Sequence, residues 1–337
     1  MTSKLYEADG TPRGVAIVGP TASGKTAFSI RVARALDGEI LSCDSMQIYR
    51  GMDIGTAKAT AAERAAVPHH LLDLCEPSEA YSAADYATAA LAAVREVTGR
   101  GHLPVFCGGT GLYLEAARLG RHATLPPIPA GLRPALMEEA AARGAEAMHA
   151  ELSSVDPVSA AEIHPHNLRR VLRALEIFRA TGRPKSAWDE ESRRQKPALS
   201  LLVLGLFPAD RAALHRRIDR RVDAMMEEGL LEEVRALYAA GALPAGGTAA
   251  QAIGYKELGA ALRGECTVPE AVEEIKTATR RYARRQLTWF RATEGLVPLE
   301  CDEGGVTPAA EALALDLISE FLGRPSGTLS AYQHQTM

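Results

Sequence analysis

Residues 19–26 have the residue types and the spacing needed to hold a polyphosphate. They fit the pattern G-x-x-x-x-G-K-[ST], in which backbone N–H groups of a curled segment converge on phosphate oxygens at a helix N-terminus. The lysine adds a point charge, and the hydroxyl that follows it can ligate Mg²⁺. The motif predicts a polyphosphate ligand without identifying it, and a glycine turn that binds nothing is the structural alternative. We call this segment the glycine loop; it consists of Gly19, Pro20, Thr21, Ala22, Ser23, Gly24, Lys25 and Thr26.

Asp44 is the acidic candidate for chemistry beside the glycine loop. Nucleotide hydrolases usually carry an acid at the end of a neighbouring strand to hold the metal, but the apolar segment 103–107 is followed by Gly-Gly-Thr. Asp44 instead follows the apolar segment 40–43. Three roles compete for it: a metal ligand, as in a small-molecule kinase, a proton acceptor beside the phosphates, or the cap of a turn. Spacing alone does not choose among them.

The composition excludes several classes of protein. Lys and Arg number 38 against 42 Asp and Glu in 337 residues, so any nucleic-acid surface must be a local basic patch. The five cysteines are widely spaced and form no C-x-x-C pair, which argues against a disulfide framework or a zinc centre. No apolar run approaches the ~18 residues of a membrane span, and the first residues lack the apolar core of a secretion signal. We therefore expect a soluble, cytoplasmic protein with no membrane partner.

Short apolar strands alternate with helical patterns in the first third of the chain. Such alternation requires crossover connections and therefore indicates a parallel sheet. The strand that ends at the glycine loop and the strand that ends at Asp44 are both part of this pattern. The predicted helices span about 24–36 and 82–97, and the predicted strands span 14–18, 39–43, 70–74 (the weakest) and 103–107.

A proline-rich break at 125–129 separates this part from a stretch with helical periodicity only. Strand-like sequence returns at 201–207, and further helices follow. We expect an α/β fold: a P-loop NTPase-like parallel sheet core with an all-helical insertion domain and additional C-terminal helices. The expected segments are a core of residues 14–124 and 197–300, an insertion domain of residues 125–196, a late edge strand at 296–299, a last helix at 309–322 and a disordered tail at 323–337.

Several longer strings resemble the tRNA dimethylallyltransferases, also called tRNA isopentenyltransferases. Besides the glycine loop, the resemblance rests on DSMQIYRGMDIGTAK at 44–58, GGTGLY at 108–113, RRVLRALE at 169–176 and QAIGYKE at 251–257. It extends from about residue 15 to residue 291. Several of these strings occur in few other families.

The resemblance implies transfer of a dimethylallyl group from dimethylallyl diphosphate to N6 of adenosine-37, next to the anticodon of tRNA. N6-(dimethylallyl)adenosine forms, diphosphate leaves, and ATP is not consumed despite the ATP-type motif. The glycine loop would bind the isoprenoid diphosphate, with Mg²⁺ as cofactor on Thr26. Asp44 would be the general base, Thr26 and Arg217 further catalytic residues, and Arg221, one helical turn on, a second diphosphate contact. A solvated basic helix face is the alternative for both arginines.

Two basic segments supply the surface that a polyanionic partner needs. Residues 164–196 hold nine Lys and Arg against four acids, and residues 276–291 hold six Lys and Arg with no acid. In the second segment two arginine pairs have i, i+4 spacing, Arg280 with Arg284 and Arg281 with Arg285. Together they form one positive stripe on a helix. An acidic chain can therefore bind a polyanion through segregated basic stripes.

Trp289 and Phe290, at the end of the second basic segment, are interpreted as core residues and not as stacking platforms. The protein is expected to be a monomer that binds the tRNA anticodon stem-loop. From resemblance and charge together, the expected tRNA contacts are Asp44, Ser45, Met46, Gln47, Thr110, Arg133, Asn167, Leu168, Arg169, Arg170, Val171, Gln251, Arg280 and Arg284.

Three other functions compete with this interpretation. An isopentenyltransferase that acts on free adenine nucleotides would need neither the helical insertion nor the basic stripes. A small-molecule kinase that uses ATP, with Asp44 as a metal ligand, would leave the string at 44–58 unexplained. A non-catalytic RNA-binding module would have no use for an intact glycine loop.

Overall fold

The computed structural model describes residues 2–120, 128–129 and 131–323. The predicted tail, beyond residue 323, and most of the predicted break at 125–129 lie outside these residues.

The described residues form two compact units. The larger unit comprises residues 2–120 and 198–323, and the smaller one comprises residues 128–129 and 131–197. Among the described helices, none combines the length and the apolar character that crossing a membrane requires.

The larger unit is built on one sheet. Its strands are β1 (Arg13–Val18), β2 (Gly38–Ser42), β3 (His69–His70), β4 (Leu103–Gly108), β5 (Ser200–Pro208), β6 (Val297–Asp302) and β7 (Gly305–Val306). Their order is β3-β2-β4-β1-β5-β6-β7, and only the pair β6–β7 is antiparallel. The predicted α/β fold with a parallel sheet is confirmed.

Helices follow most strands, and the helices between residues 132 and 194 form the smaller unit. Single turns of 3-10 helix occur at Thr2–Leu5 and Ala249–Gln251. The helices are α1 (Lys25–Leu36), α2 (Ala61–Ala66), α3 (Ala83–Gly99), α4 (Gly111–Leu119), α5 (Leu132–Arg143), α6 (Ala145–Val155), α7 (Pro157–Glu162), α8 (Leu168–Thr181), α9 (Lys185–Arg194), α10 (Arg211–Glu227), α11 (Leu230–Ala239), α12 (Tyr255–Leu262), α13 (Val268–Arg291) and α14 (Pro308–Phe321).

Both faces of the sheet are covered by helices. Alternate residues of β1 point to opposite faces: Ile17 shares a core with Phe28 of α1, whereas Val18 shares a different core with Tyr86 of α3. Strands buried on both faces become nearly continuous apolar runs. This is why the strand that precedes the glycine loop contains no polar side chain between Gly14 and Val18.

Two strand predictions need correction. The strand predicted over 70–74 is reduced to His69–His70, because Leu71 (φ 64°) and Asp73 (φ 57°) adopt left-handed backbone conformations that interrupt an extended chain. The strand predicted at 296–299 is longer and is not at the edge. It is β6, and the two-residue β7 pairs with its outer side.

The smaller unit is a helical bundle with its own core. Its buried side chains include Leu136 of α5, Met148 and Leu152 of α6, and Val171 and Leu175 of α8. The apolar residues of α8 recur at helical spacing, which turns one face of that helix inward and leaves its arginines outside.

Candidate active site

Three segments that follow neighbouring strands meet at the carboxyl edge of the sheet. The glycine loop follows β1, Asp44 follows β2 and Gly109 follows β4, and β4 pairs with both of the other strands. Open parallel sheets bind their ligands at this edge. A cavity of about 1380 Å³ opens there, with residues 21–26, Asp44 and Gly109 in its wall. A typical small-molecule site has roughly 300–1,000 Å³, so there is room for more than one ligand group.

The glycine loop curls back on itself before α1 begins. Gly19 and Gly24 have φ angles of 147° and 90°, and Lys25 Nζ donates to the Pro20 carbonyl oxygen at 2.6 Å. The hydroxyl of Ser23 is buried and has no hydrogen-bond partner among the described residues. A buried hydroxyl without a partner costs free energy until a ligand or water supplies one. Ser23 therefore offers an unpaired hydroxyl to a ligand or a water bound in this loop.

The ammonium group of Lys25 is destabilised in the free protein. Desolvation lowers its pKa to about 8, and the positive charge of Arg221 acts in the same direction, while Asp44 and Cys107 oppose the shift. A bound anion would favour the charged form and raise the pKa again. The loop thus holds a cation that is not fully compensated by the protein.

Asp44 caps the turn after β2 with one oxygen only. Its Oδ1 accepts from the N–H of Met46 at 2.9 Å, and Oδ2 has no hydrogen-bond partner in the described part of the chain. The next residue, Ser45, donates its N–H to Thr110 Oγ1 at 3.0 Å, which ties this turn to the one after β4. The capping role considered from sequence is therefore real, yet it leaves half of the carboxylate available in the cavity.

Helix α10 presents two arginines to the glycine loop. The Arg217 guanidinium lies over Gly24: a Cβ atom built on this glycine would be 3.3 Å from Arg217 Nη2. Arg221 also lines the cavity, and desolvation lowers its pKa. Neither arginine pairs with a carboxylate of the described residues, whereas Arg220 pairs with Glu303. The two arginines predicted to contact diphosphate therefore have positive charges that no carboxylate of the described residues neutralises.

Gln286 of α13 fastens the glycine loop and was not identified from sequence. Its Oε1 accepts from the N–H of Thr21 at 2.9 Å, and its Nε2 donates to the Gly109 carbonyl oxygen at 3.0 Å. The side chain is 4% exposed. A signal did exist: Gln286 is a polar residue at helical spacing within the buried stripe that contains Ala283 and Phe290.

Tyr282, also on α13, lines the cavity near Asp44. Its pKa is raised, mainly by desolvation and further by the negative charge of Asp44. The guanidinium of Arg285 lies 5.5 Å from the centre of the Tyr282 ring. These residues bring a hydroxyl and a cation to the side of the cavity where Asp44 lies.

The segment 44–58 forms another wall of the cavity, and hydrogen bonds of its own side chains stabilise it. Gln47 donates Nε2 to the carbonyl oxygens of Thr56 and Ala57, each at 3.1 Å, and accepts from Ser42 Oγ at 2.8 Å. The predicted tRNA contact Gln47 therefore lines the cavity with its amide already engaged by the protein.

Lys58 is a buried cation in this wall. Its side chain is 2% exposed, and Nζ donates to Asp53 Oδ1 at 2.7 Å, to Asp73 Oδ1 and to the Tyr49 carbonyl oxygen. Two carboxylates and a carbonyl satisfy the ammonium group, as a buried charge requires. Lys58 is thus a structural clamp.

Glu233 of α11 holds the same wall from the outside. Its carboxylate accepts the successive N–H groups of Asp53, Ile54 and Gly55 at 2.9, 2.8 and 3.2 Å. The hydroxyl of the buried Tyr255 donates to Glu233 Oε1 at 2.6 Å. Sequence alone gave no reason to connect Glu233 with residues about 180 positions earlier.

The predicted contacts in the smaller unit differ in exposure. Asn167, Arg169 and Arg170 are exposed at the start of α8. Leu168 is partly buried against the core and Val171 is fully buried in it. The side chain of Val171 therefore has no surface to offer to RNA, because its position belongs to the apolar face of the helix.

The predicted tRNA contacts Arg133 and Gln251 both lie outside the apolar cores. Arg133, on α5, lies 3.6 Å from the carboxylate of Glu176 within the smaller unit. Gln251 is exposed in the 3-10 turn of the larger unit and lines the cavity. Neither residue is buried in a core.

The basic stripe on α13 is only partly free. Arg280 pairs with Asp219, whereas Arg284 is exposed and has no carboxylate partner within the described residues. The interpretation of Trp289 as a core residue is wrong, since 44% of its surface is exposed, but Phe290 is buried as expected. Only one of two adjacent helical residues can face the core here.

Sequence comparison gives the family. The model of the IPP transferase family matches residues 47–293. A tRNA dimethylallyltransferase of Geobacillus kaustophilus (strain HTA426) is 50% identical over 275 residues, which cover 82% of this chain and 86% of the relative. The chain belongs to the IPP transferase family. It is therefore an enzyme of the prenyltransferase type.

Solved structures of the family agree with this assignment. A full-length tRNA isopentenylpyrophosphate transferase from Bacillus halodurans superimposes with a TM-score of 0.67 at 42% identity, covering 96% of this chain and 99% of that one. A eukaryotic dimethylallyltransferase acting on tRNA gives a TM-score of 0.77 at 28% identity, covering 94% and 81%. The resemblance stated from the sequence is thus confirmed.

Proposed function

We propose that this enzyme transfers the dimethylallyl group of dimethylallyl diphosphate to N6 of adenosine-37 in tRNA. One observation carries the proposal: Lys25 of the glycine loop, the two arginines of α10 and the half-free carboxylate of Asp44 line the same cavity. An alkyl transfer needs both, a cationic cradle for the leaving group and a base for the acceptor. Names of the relatives supply the tRNA and the dimethylallyl group.

The acceptor amine is the difficult partner, because the lone pair of N6 is delocalised into the adenine ring. In the proposed step the N6–C1 bond forms while the C1–O bond to diphosphate breaks, and N6 loses one proton. Asp44 accepts that proton through Oδ2, and a carboxylate at hydrogen-bond distance is sufficient as the base. Tyr282, on the same side of the cavity, borders the adenine.

The leaving diphosphate gains negative charge as the C1–O bond breaks. Lys25, Arg217 and Arg221 line the cavity that would hold it, and preorganised positive charges beside a leaving group lower the barrier. The N–H groups of the glycine loop and the Ser23 hydroxyl add hydrogen bonds. Protonated Lys25 is restored by the ligand, because an anion beside it raises its pKa.

The residues present fit a Mg²⁺ ion that depends on the substrate for most of its ligands. No group of three or more His, Cys, Asp or Glu in the described chain could hold a metal by itself. Mg²⁺ is usually bound by one or two protein oxygens together with substrate phosphates and water. Thr26, in the cavity wall, would hold it, and the ion would neutralise part of the diphosphate charge.

The exposed basic residues support a tRNA acceptor. Arg169 and Arg170 in the smaller unit, and Arg284 in the larger, are exposed and can contact a phosphate backbone, and the neutral amide of Asn167 is exposed as well. An adenosine in an anticodon loop is easily unstacked and turned into a pocket, since it is not paired. We expect a monomer, because one chain supplies every group named above.

An assay with two donors and two acceptors distinguishes the proposed reaction from the competing functions. The protein is incubated with dimethylallyl diphosphate or ATP, combined with tRNA or AMP, and modified nucleosides are identified by mass spectrometry. We expect N6-(dimethylallyl)adenosine at position 37 of tRNA, formed only with the isoprenoid diphosphate. Prenylated AMP would instead indicate a nucleotide-directed enzyme, and phosphate transfer from ATP would indicate a kinase.

A further inference from the structure

The turn between β6 and β7 is a direct neighbour of the glycine loop. β6 ends at Asp302, β7 begins at Gly305, and these two residues are paired across the strands. A Cβ atom built on Gly24 would be 3.6 Å from the Cα atom of Gly305, which is van der Waals contact. The φ angle of Gly305 is 117°, a value that residues with a side chain rarely adopt. We call residues 302–305 the β6–β7 turn.

The β6–β7 turn also holds one end of the Arg217 guanidinium. Arg217 Nη1 donates to the carbonyl oxygen of Asp302 at 2.9 Å, whereas Nη2 is the nitrogen that lies beside Gly24. A single planar group therefore connects the turn to the glycine loop. Because the N–H groups of arginine form a rigid fork, a hydrogen bond at one edge fixes the direction of the others.

Glu303, within the turn, pairs with the arginines that flank Arg217 on α10. Its carboxylate lies 2.8 Å from Arg220 Nη2 and 3.4 Å from Arg216 Nη2. One exposed ion pair stabilises a protein little. Here two ion pairs and a backbone hydrogen bond attach the same turn to neighbouring positions of one helix, so together they fix the turn against α10.

We propose that the β6–β7 turn is a positioning element for the diphosphate, because it holds Arg217 over the glycine loop. The inference rests on the proposed function, which places the diphosphate in this loop. Asp302, Glu303 and Gly305 are not among the described residues that line the large cavity. They therefore act through Arg217 and not by contact with the substrate.

The sign of the effect of Glu303→Gln separates positioning from charge. A carboxylate near an anion site disfavours the anion, so removal of its charge alone should tighten diphosphate binding. Loss of positioning should weaken it instead. We expect the Kd for inorganic diphosphate to rise about two- to fivefold, an effect of the size found for exposed ion pairs.

Gly305→Val is the stronger variant, because valine does not tolerate a φ angle of 117° and the turn must change its conformation. Calorimetry with Mg²⁺ and inorganic diphosphate measures the result without turnover. We expect Kd to rise between about tenfold and a hundredfold, as for the loss of one hydrogen bond to a charged group.

Gly101→Val is the matched control. Gly101 also has a positive φ angle, 87°, but it precedes β4 at the opposite edge of the sheet. A Cβ atom on Gly101 or on Gly305 would have no neighbour within 4 Å among the described residues, so backbone strain is the common perturbation. Gly101→Val should lower Tm as Gly305→Val does and change Kd by less than about twofold, a limit we set for a distant, independent site.

A double-mutant cycle shows whether the turn acts through Arg217. In an Arg217→Ala background, Gly305→Val should change Kd by less than about twofold, because the group to be positioned is gone. The same factor in both backgrounds, or a lower Kd in Glu303→Gln or Gly305→Val, would overturn the inference. If the unmutated protein binds no inorganic diphosphate, the proposed function fails together with it. If the unmutated protein binds diphosphate and Gly305→Val binds it equally well, this inference alone fails.

Discussion

The side-chain amide of Gln286 joins the backbone of Thr21 to the backbone of Gly109. It accepts a hydrogen bond from the first and donates one to the second, at 2.9 and 3.0 Å. The bridge requires glycine at position 109, because a Cβ atom there would lie 2.0 Å from Nε2. A helix from the last third of the chain thereby fixes the distance between the glycine loop and the turn after β4.

Gln286→Glu should loosen the glycine loop. The carboxylate can still accept from Thr21, but it cannot donate to Gly109 and would face its carbonyl oxygen. A buried hydrogen bond lost in this way costs about 1–3 kcal/mol, so KM for dimethylallyl diphosphate should rise between about fivefold and a hundredfold. Thr288→Ala, an exposed position two residues further on, serves as the control. An unchanged KM in Gln286→Glu would show that the loop keeps its shape without this bridge.

Asp44→Asn tests the base directly. The amide preserves the shape and some hydrogen bonding but cannot take a proton at neutral pH, so kcat should fall by about 10²- to 10⁴-fold. Affinities for tRNA and for dimethylallyl diphosphate should change by less than about fivefold, since one neutral hydrogen bond is retained. Asp316→Asn, exposed on α14, is the control. Partial rescue of the Asp44→Asn variant by raised Mg²⁺ would point to a metal ligand instead.

The charge of Lys25 should impose a pH limit on diphosphate binding. Desolvation holds the pKa of this lysine at about 8 in the free protein, and a bound anion raises it. Affinity is therefore maximal well below pH 8 and falls as the pH rises through about 8, by up to about tenfold per pH unit until the pKa of the complex is reached. Calorimetry with an isoprenoid diphosphate between pH 7 and 9.5 measures this fall. Lys25→Arg, which stays charged, should give a flat profile, and a flat profile in the unmutated protein would exclude the effect.

Salt dependence measures how many phosphates the basic residues contact. The affinity for tRNA should fall steeply as salt rises, because each neutralised phosphate releases counterions. Arg284→Ala should weaken binding and make the slope of log affinity against log salt shallower by about one. Arg95→Ala, exposed on α3, should leave the slope unchanged. If the slope for the unmutated protein is near zero, the basic segments do not bind RNA.

The parts of the candidate site that lie close together in the chain can be predicted from the sequence. The glycine loop follows from a motif, Asp44 from its position after an apolar strand, and the arginine pair of α10 from the family resemblance together with its spacing of one helical turn. Gln286 and Glu233 could not be found in this way, because their partners are more than 170 residues away in the chain and only the fold brings them together. Trp289 was misjudged for a related reason: periodicity indicates which face of a helix is apolar, but not that the indole packs over Gly111 of α4 and leaves the residue 44% exposed.

The position of β1 has a consequence for how the chain folds. The strand is made first, yet one of its neighbours, β5, pairs Arg13 with Ser200 and follows the whole helical unit in the chain. A nascent chain thus carries its central strand with one side unpaired until residues 200–208 have been synthesised. Parallel pairing over such separations is slow and leaves strand edges open to aggregation. The β5 side of β1 therefore stays an open strand edge throughout the synthesis of the helical unit, and only β5 closes it.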